Sequence, residues 1–424
     1  MLEDFGWNLK ERSALRITFC LFLVSLFLRS LALWLLPETH LSDNAITAYL
    51  GAADLIRNGE GFLDTSYPVF APPLYAVIIA FIQTMFGNDQ ILIKIAQIIA
   101  DSATSVTIFF IMREILNARV GLLSGSIYTI YPYAIYASTY IGSEAFFTFF
   151  LSVFVWFFTL SIKYQKLPFW VFAGFALGVT TMTRGTTQFL PLFMGLLLLR
   201  SKEGRLLRDL GNYLLFCFCF ALVISPWTIR NYVVLHEFVP VATGASVFLQ
   251  GSAERFLTIE GKKKEWPQWF DQIKTKGIIR PHPGASPVQW DRFQWRAGFE
   301  SYRYQIENDP WSLVRFLGTK FARLWYATES GKNHTLIFAS NVGIYLLAVL
   351  GLLILQVRKD PLTWILTFVV GYIVLLHWVS LPLFRYMVPA MPYIIGWAAV
   401  ATLTIIDLSR GKKHLTSPRK TTAL

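Results

Sequence analysis

Ten apolar segments, most of them long enough to cross a lipid bilayer, dominate this chain of 424 residues. A transmembrane helix needs about 20 consecutive apolar residues, because unpaired backbone polar groups cannot be left in hydrocarbon. The sequence therefore predicts an all-α polytopic membrane protein with about ten transmembrane helices, with 1–424 forming a single integral membrane domain. The segments are 17–36, 91–111, 120–138, 145–162, 168–183, 188–199, 210–226, 336–356, 361–380 and 386–407.

Composition agrees with this class of protein. Hydrophobic residues make up 54% of the chain and charged residues only 15%, whereas soluble domains carry roughly 25% charged residues. The net charge of +12 is typical of basic loops on one side of a membrane. Since no basic folded module lies outside the apolar segments, nucleic acid is not expected as a partner. The three cysteines all fall in apolar runs, so the sequence indicates no disulfide framework.

One further apolar run, 71–86, decides the predicted topology. It opens with Pro72-Pro73 and is shorter than an ordinary span. A full crossing would place the basic stretches around 113–119, 163–166 and 200–208 outside, whereas a half-span keeps every basic stretch inside. We therefore expect a half-span, cytoplasmic N- and C-termini and a cytoplasmic tail at 408–424. The external pieces include a first loop, 37–70, and a larger loop, 227–335.

Acids and cations gather on the predicted outer face. Asp43 and Asp54 lie in the first loop, within HLSDNAITAYLGAAD, and Glu144 opens the next external turn. Carboxylates and several cations on one face predict a phosphate-bearing ligand, because arginine and lysine hold phosphate oxygens and a carboxylate can accept a proton from an attacking hydroxyl. The cations at this depth are Arg29, Lys94, Arg184, Arg230 and Arg385.

Each of these residues also has a structural interpretation. Asp43 would serve as the N-cap of a helix over 44–58, and Asp54 as a solvated acid on that helix. Glu144 would favour the dipole of the helix that it starts. Arg230 and Arg385 would anchor the chain at lipid headgroups, and Asp101 would make a polar contact between helices. The histidines are scattered, so the sequence gives no support for a metal site and requires no cofactor.

The order of the motifs resembles that of the GT-C membrane glycosyltransferases. An apolar helix with an arginine is followed by an external Asp, "YPVFAPPLY", "GSEAFF", "TMTRGT", "SPWTIRNY" and "FRYMVPAMPY". The likeness covers most of residues 15–400. The chain is most similar to bacterial relatives of the dolichyl-phosphate-mannose protein mannosyltransferases and of the lipid A aminoarabinose transferases.

The resemblance implies a GT-C-like bundle with interfacial helices in the first loop, in the plasma (inner) membrane. It also implies a polyprenyl-phosphate sugar donor and an external active site. Asp43 matches the family's catalytic base, although Asn44 follows it where many relatives carry Glu, and Glu144 matches the family's second acid. Lys94 and Arg29 match basic residues of the family and join Arg184, Arg230 and Arg385 as candidate ligands of the donor phosphate. The candidate substrate contacts are Tyr49, Asp54, Tyr67 and Tyr386.

The predicted reaction is a single displacement that inverts the anomeric carbon of the sugar, with a lipid, a glycan or a protein as acceptor. Two other functions stay open. A polysaccharide polymerase or ligase also has many spans and one large external loop. A lipid-linked sugar flippase or transporter commonly shows internal repeats, and none is visible here. Convergence of Asp43, Lys94 and Arg184 in one outward cavity favours the transferase, whereas a water path across the membrane favours transport.

Overall fold

The computed structural model describes residues 11–36, 43–60, 71–197, 206–254, 277–282, 284–308, 310–328, 331, 333–357 and 361–411. These residues form sixteen α-helices and no strand, as the apolar segments predict. The helices are α1 Glu11–Leu35, α2 Asp43–Arg57, α3 Pro73–Phe86, α4 Gln90–Ile115, α5 Ala118–Thr129, α6 Pro132–Ser138, α7 Glu144–Tyr164, α8 Leu167–Thr183, α9 Leu190–Gly195, α10 Leu206–Leu235, α11 Ala245–Glu254, α12 Pro287–Asn308, α13 Pro310–Arg323, α14 His334–Val357, α15 Pro361–Val379 and α16 Met391–Ser409.

Seven of the described helical segments are long and apolar enough to cross a membrane. The other three predicted spans do not form a single helix of that length. The run 120–138 is split into α5 and α6 at Pro132, which has no N–H for an intrahelical bond. The run 168–183 is the 17-residue α8, and 188–199 contains the six-residue α9. Helix α3 has 14 residues, or about 21 Å of helix, which is too short to cross a bilayer alone.

The bundle has two chemically different ends. At one end, which we call the site end, α4 and α7 begin and α8 and α15 finish. At the opposite end, α4 and α7 finish, and Lys163 lies 2.8 Å from the carboxylate of Glu114. At this opposite end Arg119 also pairs with the buried Asp407, at 3.2 Å. Both ends are therefore polar, and the exposed side chains between them are largely apolar, as a lipid-facing surface requires.

Helices α8 and α10 approach each other closely because two glycines face the contact. A Cβ atom on Gly174 would lie 2.5 Å from the carbonyl oxygen of Phe216, and one on Gly178 would lie 2.5 Å from Cβ of Val223. The two glycines are four residues apart, so they lie on one face of α8 and let the backbones meet. A second pair with the same spacing joins α5 to α4: Gly121 and Gly125.

Much of the predicted loop 227–335 is helical. Helix α10 continues through Pro226 to Leu235. Because proline has no N–H, Pro226 leaves the carbonyl of Leu222 without its helical hydrogen bond. The hydroxyl of Ser225 donates to this carbonyl instead. Helices α11, α12 and α13 follow. The buried ammonium of Lys320 on α13 donates to the carbonyl of Gly251 on α11, at 3.0 Å, and to that of Val379 at the end of α15, at 2.9 Å. It therefore joins these three helices.

Gly174→Ala should lower the apparent melting temperature of the purified protein, because the added methyl group cannot fit between α8 and α10 without moving α10. The matched change, Gly211→Ala on α10, adds a methyl group where no atom lies within 4 Å. That variant should be as stable as the native protein or slightly more stable, because alanine favours helix more than glycine does. Thermal unfolding in one detergent compares the two variants. Equal melting temperatures would contradict close packing at Gly174.

Candidate active site

A buried amide on α4 shapes the turn that leads into α7. The side-chain oxygen of Gln97 accepts from the hydroxyl of Tyr75 on α3, at 2.6 Å, and from the backbone N–H of Gly142, at 3.2 Å. Its nitrogen donates to the carbonyl of Tyr140, at 2.6 Å. Because a buried polar group is costly unless it is paired, these bonds tie α3, α4 and the turn together. The turn then delivers Glu144 as the first residue of α7.

Glu144 is paired with the arginine that ends α8. Glu144 is 4% exposed, and its carboxylate lies 3.2 Å from Nη1 of Arg184. The start of a helix favours a negative charge, which supports the ionised carboxylate. Arg184 has left the helical conformation, with φ −153° and ψ 120°, and its backbone is extended at this point. The pair thus joins the start of α7 to the end of α8.

A second arginine meets the first at the ring of Tyr386. Cζ of Arg184 and Cζ of Arg385 each lie 4.9 Å from the centroid of this ring, and Nη2 of Arg385 donates to its hydroxyl at 3.0 Å. The imidazole of His377, at the end of α15, stacks on the same ring at 4.7 Å. We call Glu144, Arg184, His377, Arg385 and Tyr386 the cation cluster. It holds two guanidinium groups and one carboxylate, which leaves an excess of positive charge.

Helix α2 lies against this cluster. Its Tyr49 is half-buried and packs edge-on against Tyr75, with ring centroids 4.9 Å apart. Burial raises the pKa of the Tyr49 hydroxyl, and the nearby Arg184 offsets part of this effect. The phenol is therefore neutral at physiological pH. Asp43 begins α2, about 9 Å along the helix axis from Tyr49, and its side chain lies outside the described part of the chain.

Arg29, a predicted phosphate ligand, is held elsewhere. It is fully buried, with Nε 2.6 Å from the carboxylate of Asp101 and Nη1 2.5 Å from the hydroxyl of Ser25. The hydroxyl of Tyr128 donates to the same carboxylate, at 2.6 Å. These contacts join α1, α4 and α5, so Asp101 makes the polar contact between helices that its sequence position suggested.

The other candidate residues, Asp54, Tyr67 and Lys94, are not members of the cation cluster. Asp54 is exposed on α2 and pairs with Arg57 at 3.3 Å, as a solvated helix acid would. Tyr67 lies outside the described residues. Lys94 is half-buried near the start of α4, three residues before Gln97 and hence on the same face of that helix. Within the part of the chain that the structure describes, no group of three His, Cys, Asp or Glu side chains is arranged to hold a metal ion.

The "SPWTIRNY" motif holds an extended segment on α10. The side chains of Trp227, Thr228 and Asn231 donate to carbonyls of 239–241, at distances between 2.6 and 3.0 Å. Arg230 is half-buried, with Cζ 4.8 Å from the ring of Trp227. Val241 of this segment lies beside Gly185, the residue that follows Arg184. The motif therefore builds one wall of the site.

Sequence reasoning missed Gln97 and His377. Both are buried polar residues within apolar helices. A polar side chain inside a span is costly and by default marks a packing or functional role, so this signal was present in the sequence. What the sequence lacks is the partner: only the folded chain brings His377 to Tyr386 and Gln97 to the turn before α7.

Arg29→Gln should destabilise the protein by about 3–5 kcal/mol, because it leaves the Asp101 carboxylate buried without its cation. The exposed pair provides a control: Arg57→Gln should change stability by about 0–1 kcal/mol. Apparent melting temperatures of the two variants test this contrast. A small effect of Arg29→Gln would show that the Asp101 carboxylate does not depend on that guanidinium.

The comparisons with known proteins agree on one fold. Residues 71–229 match the family described as dolichyl-phosphate-mannose-protein mannosyltransferase, and no curated protein sequence matches the chain. The crystal structure of the Archaeoglobus fulgidus oligosaccharyltransferase, tethered with an acceptor peptide containing the NVT sequon, superposes with a TM-score of 0.59 and 14% identity, covering 94% of this chain and 50% of that chain.

Two further solved structures match. The archaeal oligosaccharyltransferase AglB from Archaeoglobus fulgidus, in complex with an inhibitory peptide and a dolichol-phosphate, has a TM-score of 0.59 and 13% identity, covering 95% of this chain and 52% of that chain. ArnT from Cupriavidus metallidurans, bound to undecaprenyl phosphate, is a weaker match, with a TM-score of 0.43 and 13% identity, covering 93% of this chain and 78% of that chain.

The present chain spans about half the length of the archaeal proteins, and similarity at this level of identity establishes the fold. The family match, for its part, covers α3 to α9 and most of α10, which include Gln97, Glu144 and Arg184. This multi-pass membrane protein therefore belongs to the GT-C glycosyltransferase fold, and its residues 71–229 match the dolichyl-phosphate-mannose-protein mannosyltransferase family.

Proposed function

We propose that this protein transfers a sugar from a polyprenyl-phosphate donor to a hydroxyl group of an acceptor. The observation that carries the proposal is the convergence of Arg184 and Arg385 on one ring, beside the buried Glu144 and below α2. Guanidinium groups bind phosphate oxygens through paired N–H donors. A cluster at the end of a membrane bundle suits a phosphate whose lipid tail stays in the bilayer.

The charges at the opposite end support an external site. Loops on the cytoplasmic side of a membrane carry an excess of lysine and arginine. We therefore assign the opposite end and both termini to the cytoplasm, and the cation cluster to the external face of the plasma (inner) membrane. The described basic residues at the opposite end are Arg16, Arg113, Arg119, Lys163, Lys166, Arg208 and Arg410.

The proposed reaction is one displacement. Asp43 takes the proton of the acceptor hydroxyl, whose oxygen forms a bond to the anomeric carbon of the sugar. The bond from that carbon to the phosphate oxygen breaks, and its electron pair leaves with the polyprenyl phosphate. Arg184 and Arg385 stabilise the charge that develops on the phosphate. One displacement inverts the configuration at the anomeric carbon.

Glu144 takes a supporting role in this proposal. Its carboxylate accepts from Arg184 at 3.2 Å and is enclosed by protein, so it orients the guanidinium instead of meeting the acceptor. Lys94 on α4 and Arg230 on α10 stay candidate ligands of the phosphate in this proposal, and Tyr49 offers a neutral hydroxyl. A donor of this chemical class also agrees with the archaeal protein of the same fold, which was solved with a dolichol-phosphate. The acceptor is a lipid, a glycan or a protein.

Asp43→Asn should lower transfer by about 100- to 10,000-fold, because an amide cannot accept the hydroxyl proton. Purified protein incubated with a panel of radiolabelled polyprenyl-phosphate sugars and with membrane acceptors gives the rate. Asp54→Asn, on the exposed face of the same helix, should keep the native rate. Full activity of Asp43→Asn would refute the role of this residue as the base.

Arg385→Gln should weaken the binding of undecaprenyl phosphate by at least about tenfold, because a hydrogen bond to a charged group contributes about 1.5–3 kcal/mol. Native mass spectrometry of the purified protein measures the affinity. Arg57→Gln removes an arginine of α2 that pairs with the solvated Asp54, and this variant should bind the lipid normally. Unchanged affinity in Arg385→Gln would place the phosphate away from the cation cluster.

A further inference from the structure

The lipid-facing surface carries an apolar groove in the half of the bundle away from the cation cluster. Its volume is about 640 Å³, and it runs between α1, α4 and α7. This volume lies within the roughly 300–1,000 Å³ typical of small-molecule sites. The groove opens to the membrane beside the exposed ring of Phe19. Its lining is mainly apolar and includes Leu15, Phe19, Phe22, Val106, Phe110 and Trp156.

Cations collect where this groove meets the opposite end of the bundle. Arg16 is itself part of the lining and is exposed. Arg113 is three residues after Phe110 on α4, and Lys163 is seven residues after Trp156 on α7, so both follow the groove-facing sides of their helices. The carboxylate of Glu114 lies 4.0 Å from Arg113 and 2.8 Å from Lys163, and it offsets one of the three positive charges of Arg16, Arg113 and Lys163. The mouth of the groove is therefore electropositive.

We propose that this groove binds one anionic phospholipid from the adjacent leaflet, with an acyl chain along Phe19, Phe22 and Val106 and the headgroup phosphate near Arg16 and Arg113. Basic pockets between transmembrane helices, next to an apolar surface, suit lipids of this class. A zwitterionic lipid has the same chains but brings its own ammonium group toward these cations, so the charge of the mouth favours the anionic lipid. Neither end of this groove takes part in the proposed sugar transfer.

The groove also borders α1, a helix that the rest of the protein encloses only in part. Only 22% of the apolar window of α1 is buried inside the protein, against 67% for α4 and for α7. A chain lying in the groove would therefore supply packing that α1 does not receive from other helices. Since α1 precedes α2, which begins with Asp43, the bound lipid would steady the helix that leads into the site.

The test compares two lipids with identical acyl chains on the full-length protein in detergent: palmitoyl-oleoyl phosphatidylglycerol and palmitoyl-oleoyl phosphatidylcholine. Native mass spectrometry gives the affinity for each lipid, and thermal unfolding gives the stabilisation. The native protein should bind phosphatidylglycerol more tightly. Arg16→Gln and Arg113→Gln should each weaken that binding about fivefold and leave phosphatidylcholine unchanged, because each basic residue near a headgroup contributes about 1 kcal/mol.

Two further variants make the test specific to the groove. Arg208→Gln removes an exposed arginine of the same end, on α10 and away from the groove, and should bind phosphatidylglycerol as the native protein does. Ala103→Trp fills the groove and should weaken the binding of both lipids. If this variant fails to fold, the arginine variants test the proposal.

Equal affinity of the native protein for the two lipids, or equal weakening by Arg208→Gln and Arg16→Gln, would overturn the proposal. Tighter binding of undecaprenyl phosphate, lost in Arg16→Gln, would also overturn it by assigning the groove to an isoprenoid.

Discussion

The ion pair between Glu144 and Arg184 is the contact on which the candidate site depends. A charge taken out of water is costly unless an opposite charge and hydrogen bonds compensate it. Glu144 is buried at the start of α7, so it needs the guanidinium at 3.2 Å, and that guanidinium in turn is held at the end of α8. The pair therefore fixes two helix ends relative to each other. Once Arg184 is fixed, the ring of Tyr386 and the second guanidinium, Arg385, are positioned around it.

A second buried pair in the same bundle, Arg29 with Asp101, obeys the same electrostatics and serves a different purpose. The side chain of Arg29 is 0% exposed, whereas that of Arg184 is 16% exposed. Asp101, Ser25 and the carbonyl of Thr129 accept from Nε and Nη1 of Arg29, and the whole guanidinium is buried, so a ligand cannot reach it. Among the described residues, Arg184 pairs with Glu144 and lies over the rings of Phe147 and Tyr386. An arginine at membrane depth thus becomes a candidate ligand only where the fold leaves part of it accessible.

This difference also explains how far the sequence could lead. Hydropathy predicts the helices because a backbone in lipid has no other way to pair its polar groups, and each of the ten apolar segments contains a helix. Position along the helices correctly places Glu144, Arg184, Arg385 and Tyr386 at one end. Depth alone says nothing about which way a side chain faces, so it could not separate Arg29 from Arg184. The prolines alone do not predict where a helix ends. Pro132 interrupts a helix, whereas Pro226 lies inside one, where the Ser225 hydroxyl donates to the carbonyl that the proline leaves unpaired.

The distribution of charge suggests why few cations suffice at the site. In water, two unit charges 4 Å apart interact by about 1 kcal/mol, and the interaction grows several-fold where the effective dielectric constant falls toward 20. The described cations at the opposite end are in part solvated, as Arg119 shows with a side chain that is 58% exposed. In the proposed topology these cations set the orientation collectively, and each contributes little. Arg184 and Arg385 lie among aromatic rings and a buried carboxylate, where each charge acts more strongly on a neighbouring anion. Two enclosed guanidinium groups would therefore hold the phosphate of the proposed donor more strongly than a larger number of exposed lysines and arginines.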